Sequence, residues 1–442
     1  MSRSPGCSAA KRRRRPPLRA SALVLAAAVW CAPAAADDAV AETRVAQWTR
    51  LRREKAARTA PPRPGVAERA LLAVEQAKRP RLFGLSVAGL RPRVGDIASG
   101  SETAAGVRLW HPDIGGSRVD VQASAFYSIR GYEYYDLQAG RLRHLPARST
   151  RDDDVYEMGD VGRVDAGRAI AYGSVRYRHY PETAFCGLGA AARADGRTSF
   201  LSQDAVYELV TGYEGRWGAA TVRGGLRQAF VGPGTDEDVP TVRILYDDRS
   251  APGLDRQPDL IHLAASVLLD RRDTPGNPHR GGMIAAGAAR FDERGGGEFT
   301  FNRISGDARA FASLGSPQRV LALRALATAD RPDAGARVPF YLQEPLGGSR
   351  TLRGFRAFRF RGEKVLLLQA EYRWEAWPAL ELALFADAGR AYGPGEDFAI
   401  RDLESDLGFG VRLKTHDAVI ARIDVARGRE DTRCVFRLGP SF

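Results

Sequence analysis

Residues 347–362, GGSRTLRGFRAFRFRG, interrupt a C-terminal half that otherwise has the pattern of β-strands. Glycines at this density favour turns over strands because they carry the largest backbone entropy. The stretch also holds too many arginines for a surface that faces lipid. It is therefore predicted to be a long loop held by charge, with Arg353 as its candidate functional residue. An arginine in a mobile surface loop is the alternative.

On both sides of this loop, apolar and polar residues alternate with a period of two, which is typical of strands that face two environments. In the last strand one face carries Cys434, Phe436, Leu438, Pro440 and Phe442. A soluble sandwich can show the same alternation. Its repetition, the scarcity of helical segments, an export signal and a terminal phenylalanine together favour an all-β fold, a transmembrane antiparallel β-barrel.

We predict sixteen strands, an even number as in single-chain bacterial barrels. They lie near 81–90, 103–111, 118–130, 168–178, 183–190, 202–214, 217–230, 260–270, 281–291, 298–313, 318–329, 363–374, 379–391, 403–414, 418–427 and 432–442. Short turns, for example 179–182, alternate with connections of which several are long, at 131–167, 231–259 and 330–362. A hairpin within the first long connection is the alternative for residues 132–142.

The N-terminus has the three parts of a cleaved signal peptide, over residues 1–36. Lys11 to Arg15 supply the positive charge, residues 20–30 the apolar segment, and residues 34–36 the small-residue cleavage site. The apolar run is shorter than the roughly 20 residues that span a bilayer. Residues 37–80 are predicted to be a short helical periplasmic tail, and residues 81–442 the barrel.

Charge and cysteine content exclude several classes of protein. Seven of the 66 basic residues lie in the signal, which leaves 59 against 53 acidic residues in the mature chain. This weak charge of mixed sign argues against nucleic-acid binding. Cys186 and Cys434 form no disulfide framework and no zinc-type spacing, so no metal or cofactor is predicted.

Three motifs resemble those of the bacterial surface-antigen barrels, in the superfamily of outer-membrane assembly factors that includes BamA and TamA. Leu352-Arg353-Gly354-Phe355 after a glycine pair is similar to the signature [V/L]-R-G-[F/Y]. The turn 270–282 and the strand 385–389 (F-x-D-x-G) resemble two further motifs. Five predicted strands follow the signature, as that family's sixteen-stranded topology requires.

The resemblance implies that the loop folds into the barrel lumen, where its arginine meets acidic residues. The alternation supports this pairing, because it directs Glu371 and Asp387 inward on adjacent strands. Two carboxylates there suit the forked guanidinium of Arg353. Ordinary lumen carboxylates that face water are the alternative.

The resemblance also implies a monomeric outer-membrane barrel that contacts lipid and assists the insertion or export of client proteins. Its gate would be the seam between the strands at 81–90 and 432–442, which Gly84, Gly89, Gly439 and Pro440 weaken. The C-terminal strand with Phe436, Leu438 and Phe442 would be the signal for its own insertion.

Two alternatives remain for the function. Residues 37–80 are too few for one of the POTRA domains that precede the barrel in the best-known relatives, which favours a passive channel or structural barrel. A hydrolase is the weakest interpretation: no G-x-S-x-G occurs, and His262 lies between apolar residues as a packed side chain does. No catalytic residue is therefore predicted.

Overall fold

A computed structural model describes residues 49–51, 53, 54, 89–95, 97–142, 167–414, 419–439, 441 and 442. The chain divides into two compact units, 1–63 and 64–442, and the described residues of the first are helical. The predicted signal peptide, most of the predicted tail and residues 81–88 lie outside the described residues. No described helix is long and apolar enough to cross a membrane.

The second unit is built on one antiparallel sheet of sixteen strands. Each strand pairs with the next along the chain, except that β11 pairs with β14, because β12 and β13 form a small sheet of their own. The strands are β1 (Leu90–Gly95), β2 (Ala104–His111), β3 (Asp120–Ser128), β4 (Glu133–Arg141), β5 (Arg168–Phe185), β6 (Thr198–Gly215), β7 (Gly218–Pro233), β8 (Leu260–Asp270), β9 (Gly281–Glu293), β10 (Phe301–Ser313), β11 (Arg319–Pro332), β12 (Glu344–Leu346), β13 (Phe360–Gly362), β14 (Lys364–Trp377), β15 (Leu380–Tyr392), β16 (Glu404–Lys414), β17 (Val419–Arg427) and β18 (Thr432–Leu438).

The two faces of the sheet are reversed relative to those of a soluble sandwich. Its buried face carries charged side chains such as Glu371 and Arg412, whereas its exposed face carries large apolar ones such as Leu384, Leu407 and Phe436. An exposed apolar face is stable only against an apolar solvent, which for a sheet of this kind is lipid. The alternation of residues thus produces a membrane-facing exterior and a polar interior.

Apart from 142–167, the connections at one end of the strands are short, whereas several at the other end are long. We call one end the turn rim; it includes the connections 112–119, 216–217, 271–280, 314–318 and 378–379. We call the other end the loop rim; it includes 96–103, 186–197, 234–259, 333–363, 393–403 and 428–431. The five strands β14 to β18 follow the connection 333–363, as the signature predicted.

Two strand predictions in the first half were wrong, and their errors cancel in the count. The predicted loop 131–167 contains β4, and the predicted strands 168–178 and 183–190 belong largely to one strand, β5. We predicted a turn at 179–182, which contains Pro181, but the ladder between β5 and β6 instead shifts register between Tyr180 and Thr183. A bulge tolerates a proline because the displaced residue makes no ladder hydrogen bond.

The ends of the sheet also differ from the prediction. The first described strand is Leu90–Gly95, and the last ends at Leu438 because Gly439 turns the chain with φ = 92°. Phe442 is consequently not on the exposed face with Phe436. It is buried inside against Phe311 and the β11 residues Val320 and Ala322. Among the described residues, β1 pairs with β2 alone and β18 with β17 alone.

Candidate functional site

The connection from β11 to β14, residues 333–363, folds back between the walls of the sheet, and we call it the signature loop. Its limbs pair as β12 and β13, and its tip begins at Gly347, whose φ is 108°. A Cβ there would lie 2.2 Å from the carbonyl oxygen of Arg356, so only glycine fits the tip. The loop buries Leu346, Leu352, Phe355 and Phe360 against Val365 and Leu367 of β14.

Arg353 lies fully buried between two carboxylates on the adjacent strands β14 and β15. Its Nε and Nη2 donate to the two oxygens of Asp387, each at 2.7 Å, and its Nη1 donates to Oε1 of Glu371 at 2.6 Å. The guanidinium also stacks over Phe385, 3.5 Å from the ring centroid. A bidentate pair and a cation–π contact both depend on the planar fork of arginine.

Further charges surround this arginine and were missed at the sequence level. Glu371 Oε2 accepts from Arg373 Nε at 3.0 Å and lies 2.8 Å from Arg412 Nη2. Asp424 lies 3.7 Å from Arg353 and pairs with Arg422. The Arg353 network, as we call this group, contains four arginines and four carboxylates, namely Arg353, Arg373, Arg412, Arg422, Glu371, Glu381, Asp387 and Asp424.

The pairing of each carboxylate with an arginine explains how the network survives burial. Each group loses its water, and an unpaired ion would cost several kcal/mol. Here every carboxylate of the network has an arginine within 4 Å. Gln369 adds a hydrogen bond of 3.0 Å to Asp387 and another of 2.8 Å to the carbonyl oxygen of Thr351. The loop is thereby joined to the wall through neutral as well as charged groups.

Gly354 and Phe355 bring the loop against the last strands. The Gly354 N–H donates to Oδ2 of Asp406 on β16 at 2.9 Å. A Cβ at Gly354 would lie 2.6 Å from the backbone nitrogen of Gly428, at the β17–β18 turn. This close approach requires glycine, and it lets Phe355 contact Gly428 and stack edge-on against Phe360, with 5.1 Å between ring centroids.

The signature loop also reaches the opposite wall. Phe340 packs between Phe185 of β5 and Phe200 of β6, with 4.9 Å between ring centroids in each pair. At the tip, Arg359 donates to the Glu430 carboxylate at 2.9 Å. Gly348 lies so close to Ser99 that a Cβ added at Gly348 would be 3.3 Å from the Ser99 Cβ. The sheet therefore curves around the loop, since both walls and both terminal hairpins touch it.

At the turn rim the connection 271–280 extends inward beneath several strands. The Val419 N–H of β17 donates to the carbonyl oxygen of Gly276 at 3.3 Å, although the turn joins β8 to β9. His279 Nε2 lies 2.8 Å from Oε1 of Glu375 on β14, which also pairs with Lys414 of β16. This inward connection, which we call the turn-rim cap, lies beneath the interior at the end opposite the signature loop.

The remaining candidate residues are distributed as follows. Phe436 is exposed on the outer face, Leu438 ends β18, and Pro440 lies outside the described residues. Cys186 is buried, Cys434 is exposed, and neither forms a disulfide. Within the described ranges no cluster of His, Cys, Asp or Glu is placed to hold a metal ion. The inward orientation of Asp406, Arg412 and Asp424 could have been predicted from the sequence, because the alternation already directs these residues to the interior face.

A family model described as the Omp85 superfamily domain matches residues 95–441. The chain belongs to the Omp85 superfamily. Members of this superfamily are outer-membrane β-barrels that insert or transport proteins. No curated protein sequence matches the chain significantly.

The solved structures that this chain resembles are distant from it in sequence. BamA from Haemophilus ducreyi lacking POTRA domains 1–3 is 12% identical with a TM-score of 0.51, covering 79% of this chain and 69% of BamA. CdiB from Acinetobacter baumannii is 13% identical with a TM-score of 0.42, covering 78% of this chain and 58% of CdiB. CdiB from Escherichia coli is 12% identical with a TM-score of 0.47, covering 80% and 63%. At these identities BamA supports the fold alone.

The first prediction concerns Arg353. We expect Arg353→Ala to destabilise the folded protein by about 3–5 kcal/mol, because Asp387 would remain buried without its arginine and Glu371 would lose one of its three. Arg353→Lys keeps the charge but loses the planar fork, so its stability should lie between those of the wild type and Arg353→Ala. Thermal unfolding in detergent and proteolysis of the signature loop measure both effects. Arg356→Ala, at an exposed arginine of the same loop, is the matched control. If the signature loop of Arg353→Ala is cleaved no faster than that of Arg356→Ala, the assignment is contradicted.

The second prediction concerns pH and the turn-rim cap. The hydrogen bond to Glu375 raises the pKa of His279 above its ordinary value of 6.5. Because the folded state favours the charged imidazole, its stabilisation is complete below pH 6.5 and is lost as pH rises through the raised pKa. We expect His279→Gln to lower the unfolding temperature by a few degrees at acidic pH and by less at alkaline pH. His111→Gln, at an exposed histidine that ends β2 on the same rim, should show no such trend. A pH-independent His279→Gln effect would exclude the mechanism.

Proposed function

We propose that this protein is an outer-membrane translocator or insertase whose lumen the signature loop occupies and whose substrate path is the seam between β1 and β18. The observation that carries the proposal is the burial of Arg353 between Glu371 and Asp387. A water-filled pore gains nothing from a loop fixed across its lumen by buried charges. A protein that acts at a seam needs such a loop, because the lumen must stay closed while the wall opens.

The edge strands support the seam. In the described part of the chain, β1 has six residues and β18 has seven, whereas every other strand of the large sheet has at least eight. Two short edge strands can form few ladder hydrogen bonds with each other, so a seam between them would cost little to separate. Gly439, which ends β18, shortens the ladder further at the turn rim.

The alternative is a passive channel, and the interior argues against it. The signature loop touches both walls, the turn-rim cap lies beneath the opposite end, and Phe442 is buried in the interior. Together they obstruct the path along the strands. We also propose that the protein is not an enzyme. His262 faces the interior, 2.8 Å from Glu208 and beside Phe291, and is placed as a packed wall residue.

The remaining sequence-level expectations complete the proposal. The protein acts as a monomeric barrel in the outer membrane, reached through a cleaved signal peptide over residues 1–36, and contacts lipid on its apolar exterior. Its clients are other outer-membrane proteins or secreted proteins. Phe436, which is exposed, and Leu438, which is partly buried, belong with Phe442 to the C-terminal segment that serves as the insertion signal.

The third prediction tests the seam. Cysteines introduced along β1 (Leu90–Gly95) and β18 (Thr432–Leu438), with Cys434 replaced by Ser, should form a disulfide that locks the two strands. We expect the locked protein to stay folded but to lower the amount of at least one other outer-membrane or surface protein, as depletion of the protein should. Reduction should restore that amount, because only the opening of the seam has been blocked.

A matched lock separates this effect from general rigidity. Ala288 of β9 and Ile304 of β10 are register partners, so a disulfide between cysteines at these positions joins strands that are already paired. This control lock should leave the outer-membrane proteome unchanged. Depletion of the protein should alter the outer-membrane proteome of the same cells. If it does and the seam lock leaves the proteome unchanged, the translocator is contradicted and the passive barrel is favoured.

A further inference from the structure

The β6–β7 turn at the turn rim presents a tryptophan flanked by two arginines. Trp217 is 42% exposed. The guanidinium carbon of Arg216 lies 4.8 Å from its ring centroid, and that of Arg271, at the end of β8, lies 5.5 Å away. Two cations thus share one aromatic side chain on the outside of the sheet.

The backbone holds this arrangement in place. The Asp270 N–H donates to the carbonyl oxygen of Trp217 at 2.8 Å, which ties the β6–β7 turn to the end of β8. A Cβ at residue 218 would lie only 1.9 Å from the carbonyl oxygen of Leu268, so Gly218 allows the close contact. The positions of Trp217 and Arg271 therefore depend on backbone contacts rather than on mobile side chains.

The nearby acidic groups are already paired with other residues. Asp270 accepts from Arg272 Nε at 3.0 Å and from Arg272 Nη2 at 2.7 Å. Glu214 is fully buried, 3.6 Å from Arg168. In the described part of the chain, neither Arg216 nor Arg271 has an acidic partner within 4 Å. Two like charges near one ring repel each other, and an anion between them would relieve that repulsion.

The apolar surface next to this pair identifies the kind of anion. Leu269 is 55% exposed and Tyr213 is 57% exposed on the outer face, directly beside the turn. Trp374 and Trp377 are also exposed at the turn rim. Exposed tryptophans mark the boundary between hydrocarbon and headgroups. The arginines lie where apolar surface ends, at the depth of lipid phosphates.

We propose that Arg216, Trp217 and Arg271 form a binding site for the phosphate headgroup of an anionic phospholipid in the leaflet at the turn rim. The two guanidinium groups donate to the phosphate oxygens, as planar forks do, while the acyl chains lie along Leu269 and Tyr213. The site lies on β6 to β8, far along the sheet from either edge strand. The lipid would anchor a part of the wall that need not move when the seam opens. The site itself does not depend on the proposed translocator function.

The test measures lipid binding directly. The full mature chain in neutral detergent is titrated with phosphatidylglycerol or with phosphatidylcholine, and native mass spectrometry gives the apparent Kd of the first bound lipid. Wild-type protein should prefer phosphatidylglycerol. The double variant R216Q/R271Q should bind it about thirtyfold more weakly, since each arginine near a membrane surface contributes on the order of 1 kcal/mol. Trp217→Leu should weaken it as well.

The control variant R249Q/R401Q removes two exposed arginines from the loop rim and should keep wild-type affinity. Heat-modified migration on gels confirms that each variant is folded before its affinity is compared. Equal phosphatidylglycerol affinity in wild type and R216Q/R271Q would overturn the site. The site would also be overturned if inorganic phosphate competed for it as strongly as phosphatidylglycerol does. That result would indicate a site for a small anion that does not use the apolar surface.

Discussion

A guanidinium group that loses its water must be surrounded by groups that replace the lost hydrogen bonds, and the interior of this barrel satisfies that requirement at Arg353. Asp387 accepts two of its hydrogen bonds and Glu371 a third, while Phe385 covers one face of the group. The surrounding strands in turn supply arginines, Arg373 and Arg412, whose positive charges neutralise Glu371. The charge of one loop residue thereby constrains the inward positions of β14 to β17.

The balance has a structural consequence for the whole molecule. Because the charged network holds the tip of the signature loop against one wall, the limb that carries Phe340 can pack against the other. At the other rim, the turn-rim cap contacts β17, and Phe442 packs inside against β10 and β11. The proposed substrate path therefore runs through the wall, and within the described residues the two shortest strands of the sixteen-stranded sheet are those at its edges.

The architecture and the central pairing were predictable from the sequence because both follow from a period of two. Alternation located most strands of the sixteen-stranded sheet, although two errors cancel in the count, and it directed Glu371 and Asp387 inward, where the structure has them. Alternation failed where the chain departs from it. A bulge lets β5 continue past Pro181, and the positive φ of Gly439 removes Phe442 from the exposed face. Contacts between distant segments, such as Gly276 with Val419, leave no periodic signal in a single sequence.

The central claim is that Arg353 and Asp387 act as one buried unit, and a double-mutant cycle tests it most directly. Arg353→Met, Asp387→Asn and the double variant would be compared by equilibrium unfolding in vesicles, where each free energy of unfolding is measured separately. The account predicts that the double variant is more stable than the sum of the two single effects allows, with a coupling energy above about 1 kcal/mol. Additive effects, within about 0.5 kcal/mol, would show that the two residues are independent and would contradict the account.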